Sequence, residues 1–186
     1  MPIAAESPVR RSRVTNAAMP PARLLWAVEA LDVQPGDRVL EIGCGRGVAA
    51  ELICRRLGTG HLVALDRSAA AVVAAAERAA DCVAAGTARV LTGALAGVDP
   101  VALGSFDKVL AVNVNLFWVR PAQTELELVA GLLRPHGRLH LVYEPPDPAR
   151  VPELRSRLLA HLDRAGLTSE ADTHGARLLL VTSWVP

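Results

Sequence analysis

The chain has 186 residues, of which 51% are hydrophobic, 21% charged and only 3% aromatic, and its formal net charge is +1. That length suits one ordinary domain, able to bury roughly 70% of its unfolded surface without disulfides or metal. The near-neutral charge argues against a general polyanion binder, and no run reaches the roughly 18 apolar residues of a membrane span, so neither a nucleic-acid nor a membrane partner is expected.

Residues 1–18 hold prolines and the Arg10, Arg11 and Arg13 cluster but no run suited to a signal peptide. They read as a flexible leader ahead of a single domain over 19–186. Pro20 and Pro21 open a helix carrying Leu24, Leu25, Val28 and Leu31, and Pro35-Gly36 ends it. Strands and helices then alternate. Arg38–Gly43 is a buried strand, followed by a glycine turn and a helix through Ala49, Leu52, Ile53 and Leu57 that stops at Gly58. His61–Asp66 is the second strand, and Ser68 caps an Ala/Val-rich helix running toward Cys82. Ala88–Gly93 is the third strand, with a helical turn after Asp99, and Phe106–Asn113 is the fourth, with an apolar run suited to burial on both faces. A helix over Pro121–Leu133 leads to the fifth strand, Gly137–Tyr143, and the proline-rich Glu144–Pro152 is a stiff loop. A helix bearing Leu154, Leu158, Leu159 and Leu162 follows. Two strands, about 168–173 and 177–184, close the chain through a tight turn at His174-Gly175 and must pair antiparallel. The alternation predicts a doubly wound, mostly parallel α/β sheet with right-handed crossovers. Cys44, Cys54 and Cys82 form no CxxC and no metal-ligand spacing, which points to a reducing compartment, the cytoplasm.

The segment Glu41-Ile42-Gly43-Cys44-Gly45-Arg46-Gly47 carries most of the functional information. Glycines at alternate positions after a strand let the chain turn sharply and bring bare backbone against a ligand, and the next helix offers N–H groups to an anionic group. A dinucleotide fold wants G-x-G-x-x-G, but the residue at its third glycine position is Val48. Glu41 in an apolar strand needs polar partners, because burial without them costs several kcal/mol. Asp66 ends the second strand about 20 residues beyond the turn, the interval of a ribose-reading acid; the competing reading is a helix-capping aspartate before Ser68.

The acid-x-G-x-G-x-G run resembles motif I of the class I S-adenosylmethionine-dependent methyltransferases, and the likeness spans about residues 20–186, including the terminal hairpin. The resemblance implies a Rossmann-like seven-stranded sheet and S-adenosylmethionine as cofactor, with S-adenosylhomocysteine as product and no metal. It also implies a cofactor site of Glu41, Gly43, Cys44, Gly45, Gly47, Asp66, Arg67, Gly93, Ala94, Leu95 and Asn113. The family often places an acid after the third strand to meet adenine; Thr92-Gly93-Ala94-Leu95 has none, and Asp99 lies farther along.

The fourth strand ends in Asn113-Val114-Asn115-Leu116-Phe117-Trp118, which by resemblance borders the transferring methyl. Asn113 and Asn115 are placed to orient an acceptor, and Phe117 and Trp118 either wall its pocket or pack beneath the next helix. No Asn/Asp-Pro-Pro-Tyr pattern occurs here, which disfavours base-amino and glutamine-amide acceptors by that route. Tyr143 and Glu144 either position the acceptor, take its proton, or serve the rim structurally; the histidines read as structural. The expected activity is in-line methyl transfer to an O, N or C atom of a small molecule. The alternatives are a non-catalytic cofactor-binding module and a nicotinamide-dependent oxidoreductase, and a homodimer is compatible with the composition.

Overall fold

Short apolar runs bounded by glycine and proline place the strands. The computed structural model describes residues 19–186, so the leader expected over 1–18 lies outside the described residues. Among the described residues seven strands form one sheet: β1 (Arg38–Ile42), β2 (His61–Asp66), β3 (Ala88–Thr92), β4 (Phe106–Val112), β5 (Leu133–Tyr143), β6 (Thr168–His174) and β7 (Leu178–Trp184). Their order is β3-β2-β1-β4-β5-β7-β6. The first five run parallel, while β7 is antiparallel to both β5 and β6. The fold is the Rossmann-like, mostly parallel sheet with a terminal antiparallel hairpin. Its order reverses between β1 and β4, which is where open α/β sheets leave a crevice beyond the strand ends.

Strand alternation divides the core into two layers. Leu40, Ile42, Val63, Leu65, Val109 and Ala111 face one side. They pack there against side chains of α5 (Pro100–Leu103), α6 (Leu116–Val119), α7 (Gln123–Leu132) and α8 (Val151–Arg164). Val39, Leu62, Ala64 and Leu110 face the other side, against α1 (Ala22–Ala30), α2 (Val48–Cys54) and α3 (Ala69–Arg78). Ala49, Ala50 and Ala75 line that second interface, so its helices approach closely without aromatic bulk.

Local chemistry fixes the element ends. Ser68 Oγ accepts the Ala71 N–H at 3.3 Å and caps α3, and Asp99 accepts the Val101 N–H at 2.9 Å to start α5. Lys108 Nζ donates to Leu31 O at 2.7 Å and to Asp32 O, satisfying carbonyls left open at the end of α1. The exposed edge strand β6 carries Glu170 and Asp172, charges that discourage pairing with another sheet.

Several boundaries differ from the sequence expectation. The helix after Gly47 ends at Cys54, and Gly58 instead donates its N–H to Pro35 O at 2.8 Å. The helix running toward Cys82 breaks at Ala79, whose φ of −95° and ψ of 20° leave the helical region, and resumes as α4 (Ala80–Ala84). Strand β5 begins at Leu133 rather than Gly137, because its start pairs with Phe106 before a register shift. The proline loop after Glu144 tightens into a 3-10 turn over Pro148–Arg150 that feeds α8.

Candidate functional site

The glycine turn lies between the end of β1 and the start of α2. Gly43, Gly45 and Gly47 have φ of 71°, 53° and 78°, a region costly for side chains. A Cβ on Gly43 would lie 2.7 Å from Val114 Cγ2, and one on Gly47 would lie 2.6 Å from Ala75 Cα, whereas among the described residues nothing lies within 4 Å of one on Gly45. The three glycines therefore do different work. Gly43 makes room for the β4 exit, Gly45 leaves open space, and Gly47 lets α2 start against α3.

Asp66 ties the turn down. Its Oδ2 accepts the Gly45 N–H at 2.8 Å and its Oδ1 the Ser68 N–H at 2.9 Å. Each carboxylate oxygen retains acceptor capacity, so Asp66 is both a local latch and an acceptor on the wall of the adjoining cleft. Ser68, not Asp66, is the helix cap.

Glu41 lies beneath the turn and is only 3% exposed. Its Oε2 has no hydrogen-bond partner among the described residues. The polar network expected around it is thus incomplete within this chain. Burial, and then the Asp66 charge, push the Glu41 carboxyl up to about 8. Burial, followed by the Glu41 and Asp66 charges, holds the Cys44 thiol at about 12, where it is no nucleophile.

A cleft of about 750 Å³ opens beyond β1, β2, β3 and β4. Of the residues expected to hold the cofactor, Gly43, Asp66, Arg67, Gly93, Ala94, Leu95 and Asn113 line it. Glu41, Cys44, Gly45 and Gly47 do not; Glu41 and Cys44 are buried, and Cys44 gives its N–H to Leu65 O at 3.0 Å. No carboxylate follows β3 into the cleft, and Asp99 is occupied in starting α5. Sequence reasoning missed Arg120 and Glu125 at the cleft's edge, where the Arg120 guanidinium grips both Glu125 oxygens. The available signal was a carboxylate beside Leu126 and Val129 in the apolar stripe of α7.

A second cavity, of about 240 Å³, lies beyond β4 and β5, lined in part by Tyr143, Glu144, Trp118 and Leu154. Asn113 and Asn115 line both cavities. Asn113 has a φ of 54°, a left-handed conformation that asparagine tolerates. Its Oδ1 accepts the Glu144 N–H at 2.8 Å, which fixes the amide orientation and leaves the two Nδ2 hydrogens for the junction. Asn115 Oδ1 accepts the Trp118 indole N–H at 3.2 Å, setting the indole against the smaller cavity.

Phe117 corrects one expectation. It is fully buried in the core and lines neither cavity; packing beneath the neighbouring helices wins, and its carbonyl meets His161 Nδ1 at 3.0 Å. Tyr143 donates its hydroxyl to Val114 O at 2.6 Å, and burial pushes its pKa up. That makes it a neutral anchor for the β4 exit rather than a ready proton acceptor. Glu144 is held by Arg23 at 3.5 Å and Arg177 at 3.9 Å. Among the described residues, no group of three or more His, Cys, Asp or Glu is placed to hold a metal ion.

The residues fit a cofactor with a positively charged end and vicinal hydroxyls. The orphaned Glu41 oxygen seeks a donor, and Asp66 offers acceptors on the cleft wall.

A family model described as a methyltransferase domain matches residues 39–137, more than half of the chain. The Nocamycin O-methyltransferase of Saccharothrix syringae is 38% identical over 133 residues, covering 70% of this chain and 45% of that one. The ribosomal protein L11 methyltransferase of Ralstonia nicotianae is 35% identical over 126 residues, covering 66% and 37%. The chain spans less than half the length of these two relatives. The fold is shared with a TehB-like methyltransferase from Corynebacterium glutamicum, at a TM-score of 0.64, 17% identity and 88% coverage of each chain.

Proposed function

The chain belongs to the class I S-adenosylmethionine-dependent methyltransferases, and from that premise we propose that it methylates an O, N or C atom of a small molecule held between the ends of β4 and β5. The observation that carries this reading is the shared wall: Asn113 and Asn115 separate a cofactor-sized cleft from a smaller cavity. When bound, the sulfonium supplies an activated methyl with its leaving group built in. The remaining task is to hold a nucleophile in line at about 3–3.5 Å, which needs positioning more than a dedicated base.

In this reading Asp66 accepts hydrogen bonds from the ribose hydroxyls, and Gly93, Ala94 and Leu95 flank the adenine through backbone and apolar contacts. Glu41 stabilises the amino end through the glycine turn. Asn113 directs its free amide hydrogens at the junction, Asn115 holds Trp118 against the acceptor, and Tyr143 and Glu144 fix the rim. The confined volume of about 240 Å³ favours a small acceptor over a protein side chain presented on a folded surface. Residues 19–186 are read as one catalytic domain, and its free cysteines fit the cytoplasm.

The test is calorimetric titration with S-adenosylmethionine and, separately, with NAD, on the native protein and on Asp66→Ala. Saturable S-adenosylmethionine binding, weakened at least tenfold by the substitution, is the expected result. Binding of NAD alone overturns the proposal. The missing carboxylate after β3 favours one second reading, a cofactor-binding module without turnover; it predicts native cofactor affinity with no methylated product across an acceptor screen.

A further inference from the structure

We infer that the acceptor is a small flat, apolar scaffold bearing an anionic oxygen group, carboxylate or phosphate, with the apolar part in the smaller cavity and the anion at Arg150 and Arg157. This deepens the acceptor reading above and rests on it. The cavity's walls are the Trp118 indole, Pro145, Pro146 and Leu154, rigid surfaces that suit a ring and lose little side-chain entropy on contact. Its volume of about 240 Å³ lies below the roughly 300–1,000 Å³ of sites for drug-sized ligands. That restricts the scaffold to one or two rings.

The charges at the mouth decide the substituent. Among the described residues four charged side chains line the cavity, Glu144, Arg150, Glu153 and Arg157. Glu144 is already compensated from outside the lining by Arg23 and Arg177. Glu153 alone is then shared between Arg157 at 3.3 Å and Arg150 at 3.9 Å. One carboxylate faces two guanidiniums, so a positive charge is left over at that wall. The Arg150 guanidinium is also held in place: it lies 5.3 Å from the centre of the Trp118 ring, and that ring is oriented by Asn115. The first turn of the 14-residue α8 contributes Glu153 and Leu154 to the same wall, and the positive end of its dipole adds to the attraction for an anion. Arginine in this setting offers paired N–H donors matched to carboxylate or phosphate oxygens. A neutral acceptor would leave that surplus unused.

The test uses matched probes on the full chain in saturating S-adenosylhomocysteine: 2-naphthoate, naphthyl phosphate and the neutral isostere 2-naphthamide. The expected result is that at least one anionic probe binds tenfold or more tightly than the amide. The Arg150→Gln/Arg157→Gln double variant should erase that preference while binding S-adenosylhomocysteine normally. Glu153→Gln, at a half-exposed position that does not endanger folding, should tighten the anionic probe threefold or more by freeing both guanidiniums. The relative affinity of the two anionic probes separates a carboxylate-bearing from a phosphate-bearing acceptor. Equal binding of anion and amide overturns the inference, as does a preference that survives the double variant or no binding of any probe. Failure of the cofactor reading is read separately: it appears as absent S-adenosylhomocysteine binding, whereas the probe preference is measurable with or without that ligand.

Discussion

Replacing Glu41 by glutamine keeps its size and removes its titration, which isolates the cost of keeping a carboxyl beneath the glycine turn. Burial, and then the charge of Asp66, raise Glu41 from 4.5 to about 8. The native protein therefore holds a proton over a window in which the unfolded chain has released it. The resulting stability is full below pH 4.5 and is lost as pH rises through 8. His140 works the opposite way: burial, then the Lys108 and Arg138 charges, lower it from 6.5 to about 4, so its contribution is present above 6.5 and lost as pH falls through 4. From pH 5 to 6.5 these two effects, about 2 kcal/mol each, nearly cancel. Between pH 6.5 and 8 Glu41 outweighs the residual titration of His140 and of His61, whose pKa is also lowered, by burial and then the Arg38 and Arg89 charges, and stability should fall by about 1 kcal/mol, or about 2–4 °C in Tm for a domain of this size. Urea unfolding at constant ionic strength across that interval should show the decline in the native protein and a flat profile in Glu41→Gln. Cysteine ionisation in the unfolded chain is common to both proteins, so it cancels in their difference. Parallel slopes for the two proteins would refute the assignment, whatever their absolute stabilities.

Two further expectations follow from the same turn. Gly47→Ala should destabilise by about 2–5 kcal/mol, since strain at φ 78° adds to overlap 2.6 Å from Ala75 Cα. Gly45→Ala should cost only about 1–2 kcal/mol, because its Cβ enters open space, and equal losses in urea unfolding would contradict the division of roles. On the proposed reading, cofactor titration at pH 7 in buffers of different ionisation enthalpy should show proton release as the cofactor's positive end, acting through the glycine turn, lowers the raised Glu41 pKa, and Glu41→Gln should show none.

Features set by neighbours in the chain were legible in the sequence. The strand His61–Asp66, the Ser68 cap and the turn after Asp99 depend on short apolar runs and on side chains reaching two or three residues along. The parallel sense of the first five strands followed from alternation, and the antiparallel pairing of the last two from their short connection; the strand order is seen only in the folded sheet. The burial of Phe117 was not legible: the sequence puts two aromatics side by side, and only the arrival of α8 over α6 decides which one faces the core. The same holds for the Glu144 N–H on Asn113 and the Tyr143 hydroxyl on Val114 O, contacts across 31 and 29 residues. Arg120 and Glu125 were hidden because an ion pair at one end of a helix looks like surface charge until the cleft beside it is seen.

Asn113 shows why so little catalytic signature stands in this sequence. Strand β4 must end abruptly where the chain turns toward α6, and the turn needs a residue at φ 54°. Glycine would accept that backbone but leave the Glu144 N–H without its partner. Aspartate would accept that N–H but supply no donor, and would add a negative charge to the junction of the two cavities. Asparagine meets both demands with one amide: its oxygen joins β4 to β5, and its nitrogen is left for whatever occupies the junction. On the proposed reading, the group that sets the acceptor beside the methyl is thus also a latch in the fold. A reaction that needs alignment rather than proton transfer can be served by such latches, so its residues resemble structural ones until both cavities are seen to share them.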